Sequence, residues 1–273
     1  MTSPIVKWVG GKGRLLDKLV QYVPDSYGRY IEPFAGGAAL FFRLAPKDAV
    51  LADTNKDLVN LYQQVQWDVE RVIRLLADYA HIHKHGDAAD MYRLTREAWN
   101  EEGREWDPVE RAAAFVYLNK TCYNGLWRVN SDGKFNVPMG RYKNPTICDP
   151  EGLRAAARAL VDVSIRCCDF RDAIASATAG DLVYFDPPYD KLTSTGFTKY
   201  SKGDFNRDDQ RDLRDLAIDL SRRGCRVILS NADTPYIREL YATDFEIERV
   251  KCTRPINSRG DGRAAVDELI IVN

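Results

Sequence analysis

The chain has 273 residues, 45% of them hydrophobic and 29% charged, with a net charge of −1. That supplies one large domain or a core with one inserted domain, while no apolar run nears the ~18 residues of a membrane span and Met1-Thr2-Ser3-Pro4 lacks the basic-then-apolar start of a secretory signal, so a cytoplasmic protein is expected. Near-neutral charge leaves nucleic acid open as a partner, because local clusters matter more than the total.

The first signal along the chain is KWVGGKGRLL, Lys7 to Leu16. Alone it reads as a basic turn capping a helix, with Trp8 a core aromatic and Lys12 a solvated charge. It lacks the spacing of a phosphate-binding P-loop. Gly28 to Asp53 then reads strand, glycine turn, short helix, strand. Ile31 leads into Glu32-Pro33-Phe34-Ala35-Gly36-Gly37, Ala38 to Leu44 is apolar, and Ala49-Val50-Leu51-Ala52 ends at Asp53. This is a βαβ start. Glycines between strand and helix let backbone approach a ligand, and a carboxylate ending the next strand suits a ribose diol. Together Gly36 and Asp53 suggest an adenosine-containing cofactor. The run lacks G-x-G-x-x-G spacing, and a purely structural turn is the alternative.

From Lys56 to about Lys120 the spacing is helical, through Leu58, Leu61, Tyr62 and Val65, then Val69, Val72, Ile73 and Leu76. Ala88 to Asn100 and Val109 to Asn119 continue it, with Asp107 as N-cap and Pro108 first in the helix. Cys122 to Pro145 follows as a hairpin, Val129-Asn130 and Lys134-Phe135 flanking Ser131-Asp132-Gly133. After Pro150 the α/β rhythm returns. Helices are expected at Leu153–Leu160, Arg207–Arg222 (stopped at Gly224) and Thr234–Tyr241. Strands are expected at Val163–Cys168, Leu182–Phe185, Val227–Leu229, Phe245–Val250 and Glu268–Val272. The whole is a discontinuous α/β domain interrupted by a helical and hairpin module.

The six cysteines form no Cys-x-x-Cys pair and read as small buried hydrophobes. The three histidines, His81, His83 and His85, read as a solvated helix end rather than a metal site. Two segments are basic. Asn119 to Asn144 carries five basic residues (Lys120, Arg128, Lys134, Arg141, Lys143) against Asp132, and Arg249 to Arg263 carries five (Arg249, Lys251, Arg254, Arg259, Arg263) against Asp261.

The strand Leu182–Phe185 runs into Asp186-Pro187-Pro188-Tyr189. Ligands of α/β folds bind at the carboxyl ends of strands. The prolines make the turn rigid and remove amide donors, so carbonyls stay free as acceptors. A carboxylate and a carbonyl beside an aromatic face suit a flat molecule carrying an NH₂ group, such as a nucleobase. Hydrogen bonds from its N–H groups to Asp186 and the Pro187 carbonyl would orient the amine and stabilise charge developing on nitrogen, with Tyr189 stacked on the ring. A proline turn that merely ends a strand is the minor alternative.

The motif order KWVGGK, EPFAGG, YNGLWRVN with FNVPMGRYKNP, then DPPY resembles the Dam-type (D12 class) DNA adenine-N6 methyltransferases, over nearly the whole chain. The resemblance implies a Rossmann-like α/β S-adenosylmethionine-dependent methyltransferase fold. Residues 1–55 and 147–273 would form the catalytic domain and 56–146 an inserted helical and hairpin target-recognition domain. It implies S-adenosylmethionine bound by Trp8, Lys12, Phe34, Gly36, Asp53, Asp169, Phe170 and Asp186. Within that set, Lys12 lies near the cofactor's carboxylate, Asp53 on the ribose, and Asp169 and Phe170 on its adenine. Asp186, Pro187 and Tyr189 are the implied catalytic residues. Lys7, Tyr123, Asn124, Leu126, Arg128, Pro138, Arg141 and Tyr142 are the implied DNA-binding residues, and double-stranded DNA, with GATC as the site, is the implied partner. No metal and no membrane are expected, and the chain is expected as a monomer or weak dimer, nucleoid-associated in a bacterial cell or phage-infected host.

The target amine lies within the base stack, so the base must flip out, at a cost of a few kcal/mol. Tyr123 can wedge into the gap and Asn124 bond the orphaned base. Arg128 can read guanine in the major groove, a pairing that gives ~1–3 kcal/mol of discrimination. Lys120, Lys134 and Lys143 suit phosphate contacts. Met139 and Trp127 depart from the residues relatives carry there. The competing readings are cytosine-N4 or RNA-base methylation, a catalytically silent DNA-binding relative, and, disfavoured by the missing glycine spacing, a nicotinamide-dependent oxidoreductase.

Overall fold

A computed structural model describes residues 2–12, 15–101, 103–190, 205–252 and 266–273. In chain order the helices are α1 Leu16–Leu19, α2 Ala39–Leu44, α3 Lys56–His85, α4 Ala88–Trp99, α5 Pro108–Thr121, α6 Pro150–Ala159, α7 Phe170–Ala173, α8 Arg207–Arg222 and α9 Pro235–Tyr241. The strands are β1 Tyr30–Glu32, β2 Ala49–Asp53, β3 Ser164–Cys167, β4 Leu182–Phe185, β5 Arg226–Ala232, β6 Glu246–Cys252 and β7 Val266–Val272. The chain divides into two compact units. The first holds Met1–Gly11, Gly36–Lys47 and Asp53–Cys167; the second holds Lys12–Ala35, Asp48–Ala52 and Cys168–Asn273.

The second unit is built on strands in the order β2-β1-β4-β5-β7-β6. The β2-β1-β4-β5 run is parallel, and β7 returns antiparallel between β5 and β6. Because side chains alternate along a strand, the register sorts residues by face. Ile31, Val183, Phe185, Val227, Leu229, Leu269 and Ile271 fall on one face. They join a buried cluster with Leu213, Ala217 and Leu220 of α8 and Ile237 and Tyr241 of α9. α8 begins with a capping box: Asn206 accepts from the Asp208 and Asp209 amides while Asp209 accepts from the Asn206 amide. It ends before Gly224, whose φ of 84° only glycine adopts readily.

In the first unit α3 and α5 pack together, with Tyr79 stacked on Tyr117 at 4.6 Å. Asp107 caps α5 with Pro108 in its first turn, as the sequence predicts, and Asn55 caps α3. α3 is kinked at Asp68 (φ −146°, ψ 57°), and the Asp68 carboxylate accepts from the Arg71 amide, starting the second half afresh. At its end His81 and His85 are exposed, while His83 Nδ1 lies 3.1 Å from the Tyr117 hydroxyl. Among the described residues no group of three or more His, Cys, Asp or Glu is placed to hold a metal, and no helix is long and apolar enough to cross a membrane.

The cysteines need a correction. Cys122 and Cys225 are buried, but Cys148 and Cys168 are half-buried and Cys167 is exposed. The end of β3 lies open, with exposed Arg166 before Cys167. Of the second basic cluster, Arg254, Arg259, Asp261 and Arg263 lie outside the described residues. Arg249 pairs with Asp233 and Asp267.

Candidate active site and nucleic-acid interface

In the second unit the face opposite the α8–α9 core carries polar and aromatic groups. Phe185 pairs with Leu229, so the next positions, Asp186 and Ser230, come side by side. Ala232 pairs with Glu268 across β5 and β7, which brings Glu268 to the same face. Tyr184 and Ser230 hydroxyls lie 3.0 Å apart, Ser230 donates to Asp186 Oδ1 at 2.9 Å, and the Tyr189 hydroxyl donates to Glu268 Oε2 at 2.9 Å. Lys12 Nζ sits 2.8 Å from Asp186 Oδ1 and 4.3 Å above the Tyr189 ring centroid. Lys12 is only 5% exposed and Asp186 20%. Burial pushes the Asp186 carboxyl above its ordinary range, and the Lys12 ammonium and the Ser230 hydroxyl pull it back. The result is a rigid, partly desolvated acceptor beside an aromatic ring.

The turn behind it is pinned as well. Gln210 of α8 donates to the Pro188 carbonyl at 3.0 Å and accepts from Asn231 at 3.1 Å. Asn231 in turn accepts from the Asp190 amide at 3.2 Å, and Thr234 donates to Asp190 at 2.9 Å. Pro187 is buried within this turn.

Phe34, after β1, stacks on Phe170 at 5.1 Å and meets Phe205 edge-on at 5.7 Å. Phe170 itself is buried at the start of α7. Asp169 caps that helix by accepting from the Arg171 amide at 2.9 Å, and it pairs with the Arg171 guanidinium at 3.0 Å.

In the first unit the glycine loop and Asp53 meet. Asp53 Oδ2 accepts from the Gly36 amide at 2.9 Å and Oδ1 from the Asn55 amide at 2.8 Å. Burial raises the Asp53 carboxyl and these backbone donors lower it. The Thr54 amide is a third backbone donor to the group, and a carboxylate, with about four acceptor positions, can still take a hydroxyl. Gly36 has φ 45°, and a Cβ there would lie 2.8 Å from Trp8 Cδ1. Glycine is required both for the left-handed backbone and for the approach of Trp8. The Tyr62 hydroxyl donates to the Gly36 carbonyl at 2.6 Å, fixing the loop from α3.

The hairpin belongs to the same unit. Its ladder is short, with bridges Val129↔Phe135 and Cys122↔Met139. Gly133 takes φ 75° at the turn. Trp127 stacks on Phe135 at 4.5 Å and packs on Phe115 at 4.1 Å, so it anchors the hairpin. Tyr123, Asn124, Arg128, Pro138 and Arg141 are exposed, and Leu126 and Tyr142 are half-buried. Asn124 is held left-handed, at φ 55° and ψ 16°. Arg128 Nε donates to Asn136 at 2.9 Å. Lys7 Nζ lies 4.7 Å over the Tyr142 ring. Gly125 lets Lys7 pass, since a Cβ there would lie 2.6 Å from the Lys7 side chain. A cavity of about 180 Å³ is lined by Lys7, Trp8, Val9, Tyr123 and Asn124 with the two residues that follow.

Sequence reasoning missed the residues that hold this surface. Asn119, fully buried, accepts from the Lys7 amide at 2.9 Å and donates to the Lys7 and Gly125 carbonyls at 2.8 and 3.1 Å. Asn100 brackets Phe135, accepting from its amide at 2.8 Å and donating to its carbonyl at 2.9 Å. The one available signal was an asparagine directly after the apolar run AAAFVYL.

Residues 8–256 match the family described as D12 class N6 adenine-specific DNA methyltransferase. The chain is 40% identical to a type II methyltransferase of Lactococcus lactis subsp. cremoris, over 99% of this chain and 95% of the other. It is 40% identical to a type II methyltransferase of Methanocaldococcus jannaschii, over 99% of each. It is 38% identical to a DNA adenine methylase of Serratia marcescens, over 97% of this chain and 96% of the other.

Proposed function

The chain belongs to the D12 class N6 adenine-specific DNA methyltransferases, and from that premise we propose that it moves a methyl group from S-adenosylmethionine to the N6 amine of an adenine flipped out of duplex DNA, within GATC. The observation that carries this is the Asp186–Tyr189 corner: an oriented, partly desolvated carboxylate beside an aromatic ring at the carboxyl end of β4.

The adenine amine is a weak nucleophile because its lone pair is delocalised into the ring. Asp186 and the Pro187 carbonyl accept its N–H groups, which orients the nitrogen and stabilises the positive charge that grows on it. Tyr189 stacks on the base, and Asp186 stands ready for the proton released after transfer. The bound cofactor supplies an electrophilic methyl on sulfonium sulfur. In the first unit Trp8, Gly36 and Asp53 are proposed to hold it. The backbone amides that hold the Asp53 carboxylate support its proposed role as the acceptor for the ribose diol. In the second, Lys12, Phe34, Asp169, Phe170 and Asp186 are proposed to do so. Gly36→Ala is expected to weaken cofactor binding about tenfold or more, read by isothermal titration with S-adenosylmethionine, because the new methyl meets the Trp8 ring.

The exposed hairpin residues are proposed to read DNA. Tyr123 fills the gap left by the flipped base, Asn124 bonds its orphaned partner, and Arg128 bonds a guanine. Lys7, Leu126, Pro138, Arg141 and Tyr142 complete the surface. Arg128→Ala is expected to relax selectivity at one base by about 1–3 kcal/mol. Uniform loss over all sequences would make it a phosphate contact instead. The site itself is tested with labelled methyl donor and two duplexes of equal composition, one containing GATC and one with it scrambled. Label on the first alone supports GATC; equal label on both overturns it.

A further inference from the structure

We infer that Ser230 and Glu268 are the positioning residues of the methyl-transfer corner: Ser230 turns the Asp186 carboxylate so that Oδ2 faces the amine, and Glu268 fixes the direction of the Tyr189 ring. This rests on the methyl-transfer reading above and names two residues outside the DPPY motif that its geometry depends on.

A carboxylate rotates broadly about χ2 unless something holds it. Among the described residues both side-chain donors to Asp186, Ser230 at 2.9 Å and Lys12 at 2.8 Å, fall on Oδ1. Two donors on one oxygen orient the group and leave the other oxygen to accept. A serine hydroxyl has a single proton. Ser230 gives it to Asp186, so the Tyr184 hydroxyl, 3.0 Å away, donates to Ser230. The chain Tyr184 to Ser230 to Asp186 is fully directed, and each bond polarises the next. Ser230 is completely buried on β5 between Leu229 and Asn231, in a strand otherwise fit for an aliphatic residue. Its register beside Asp186 is set by the Phe185↔Leu229 pair.

Tyr189 is held at its tip. Its hydroxyl donates to Glu268 Oε2 at 2.9 Å, and Glu268 is placed by the pairing of β5 with β7. A bond at the phenol oxygen fixes χ1 and hence where the ring lies, while Lys12 Nζ, 4.3 Å above the centroid, packs on its face. Among the described residues the titratable groups around Asp186 are Lys12, Tyr184, Tyr189 and Glu268. Loss of the Ser230 donor removes support for the charged form of Asp186, and activity that needs the carboxylate is then lost at higher pH as the medium is acidified.

The test is steady-state methylation of a cognate duplex by the full chain and five variants, with KM for DNA, cofactor affinity by titration and a pH profile. Ser230→Ala is expected to lower kcat about 10- to 100-fold, with KM and cofactor affinity within about threefold, and to move the acid limb of kcat upward. Tyr184→Phe leaves the Ser230–Asp186 bond in place and is expected to keep kcat within about threefold. The double variant, which leaves no orphaned buried hydroxyl, is expected to behave as Ser230→Ala does. Glu268→Gln keeps an acceptor and is expected near wild type, with Glu268→Ala down about tenfold. Full kcat in Ser230→Ala, equal losses in Ser230→Ala and Tyr184→Phe that track the folded fraction, or identical Glu268→Gln and Glu268→Ala would each overturn the inference alone. A wild-type chain that methylates no adenine would overturn the methyl-transfer reading and this inference with it.

Discussion

Asp186→Ala is expected to reduce methyl transfer by about a thousand-fold or more, while duplex binding stays within a few-fold of wild type. The asymmetry follows from where Asp186 sits. Its carboxylate is the acceptor at which charge on the amine is compensated, in surroundings that exclude most water. Removing one preorganised partner of a developing charge costs about 10²–10³ in rate, and here the released proton loses its nearby acceptor as well. The proposed DNA-reading side chains are in the other compact unit. Single-turnover methylation beside a gel-shift titration separates the two effects. Retained turnover would remove Asp186 from its assigned role.

Lys12→Met is expected to give the second largest loss, about a hundred-fold at neutral pH with cofactor saturating, recovered in part at higher pH. The ammonium lies 2.8 Å from a carboxylate that burial already pushes upward. Taking one partner from a buried pair leaves the other uncompensated, a cost of about 3–5 kcal/mol that protonation relieves. The sign is fixed. Asp186 works as the anion, its folded value rises when Lys12 goes, and so the acid limb of the rate profile moves to higher pH. A flat loss at every pH, with weakened cofactor binding, would instead assign Lys12 to the cofactor's carboxylate alone.

Local signals made much of the fold legible. Leu182–Phe185 is β4 residue for residue, and Asp107-Pro108 starts α5 as its capping chemistry demands. α8 spans Arg207–Arg222, bounded by a capping box and by Gly224. Strand ends were less visible, because β5 extends through Ser230, Asn231 and Ala232, polar and small residues that periodicity reads as loop. The one-turn helices α1 and α7 and the kink at Asp68 are too short to carry a period. The Asp-Pro-Pro-Tyr corner announced itself, since a carboxylate and two prolines ending an apolar strand have few structural uses. Its supports did not. Ser230 and Glu268 reach Asp186 and Tyr189 only through the register of β4, β5 and β7, and Asn119 reaches Lys7 from 112 positions away. Such partners are set by tertiary pairing, which no window of sequence contains.

The most direct measurement is the identity of the methylated nucleoside. The full chain is incubated with S-adenosylmethionine and unmodified duplex DNA, and the DNA is digested and resolved by mass spectrometry. N6-methyldeoxyadenosine, absent without cofactor and absent with Asp186→Ala, is the predicted product; N4-methyldeoxycytidine, or no methylated base while the chain still binds cofactor and duplex, would contradict it.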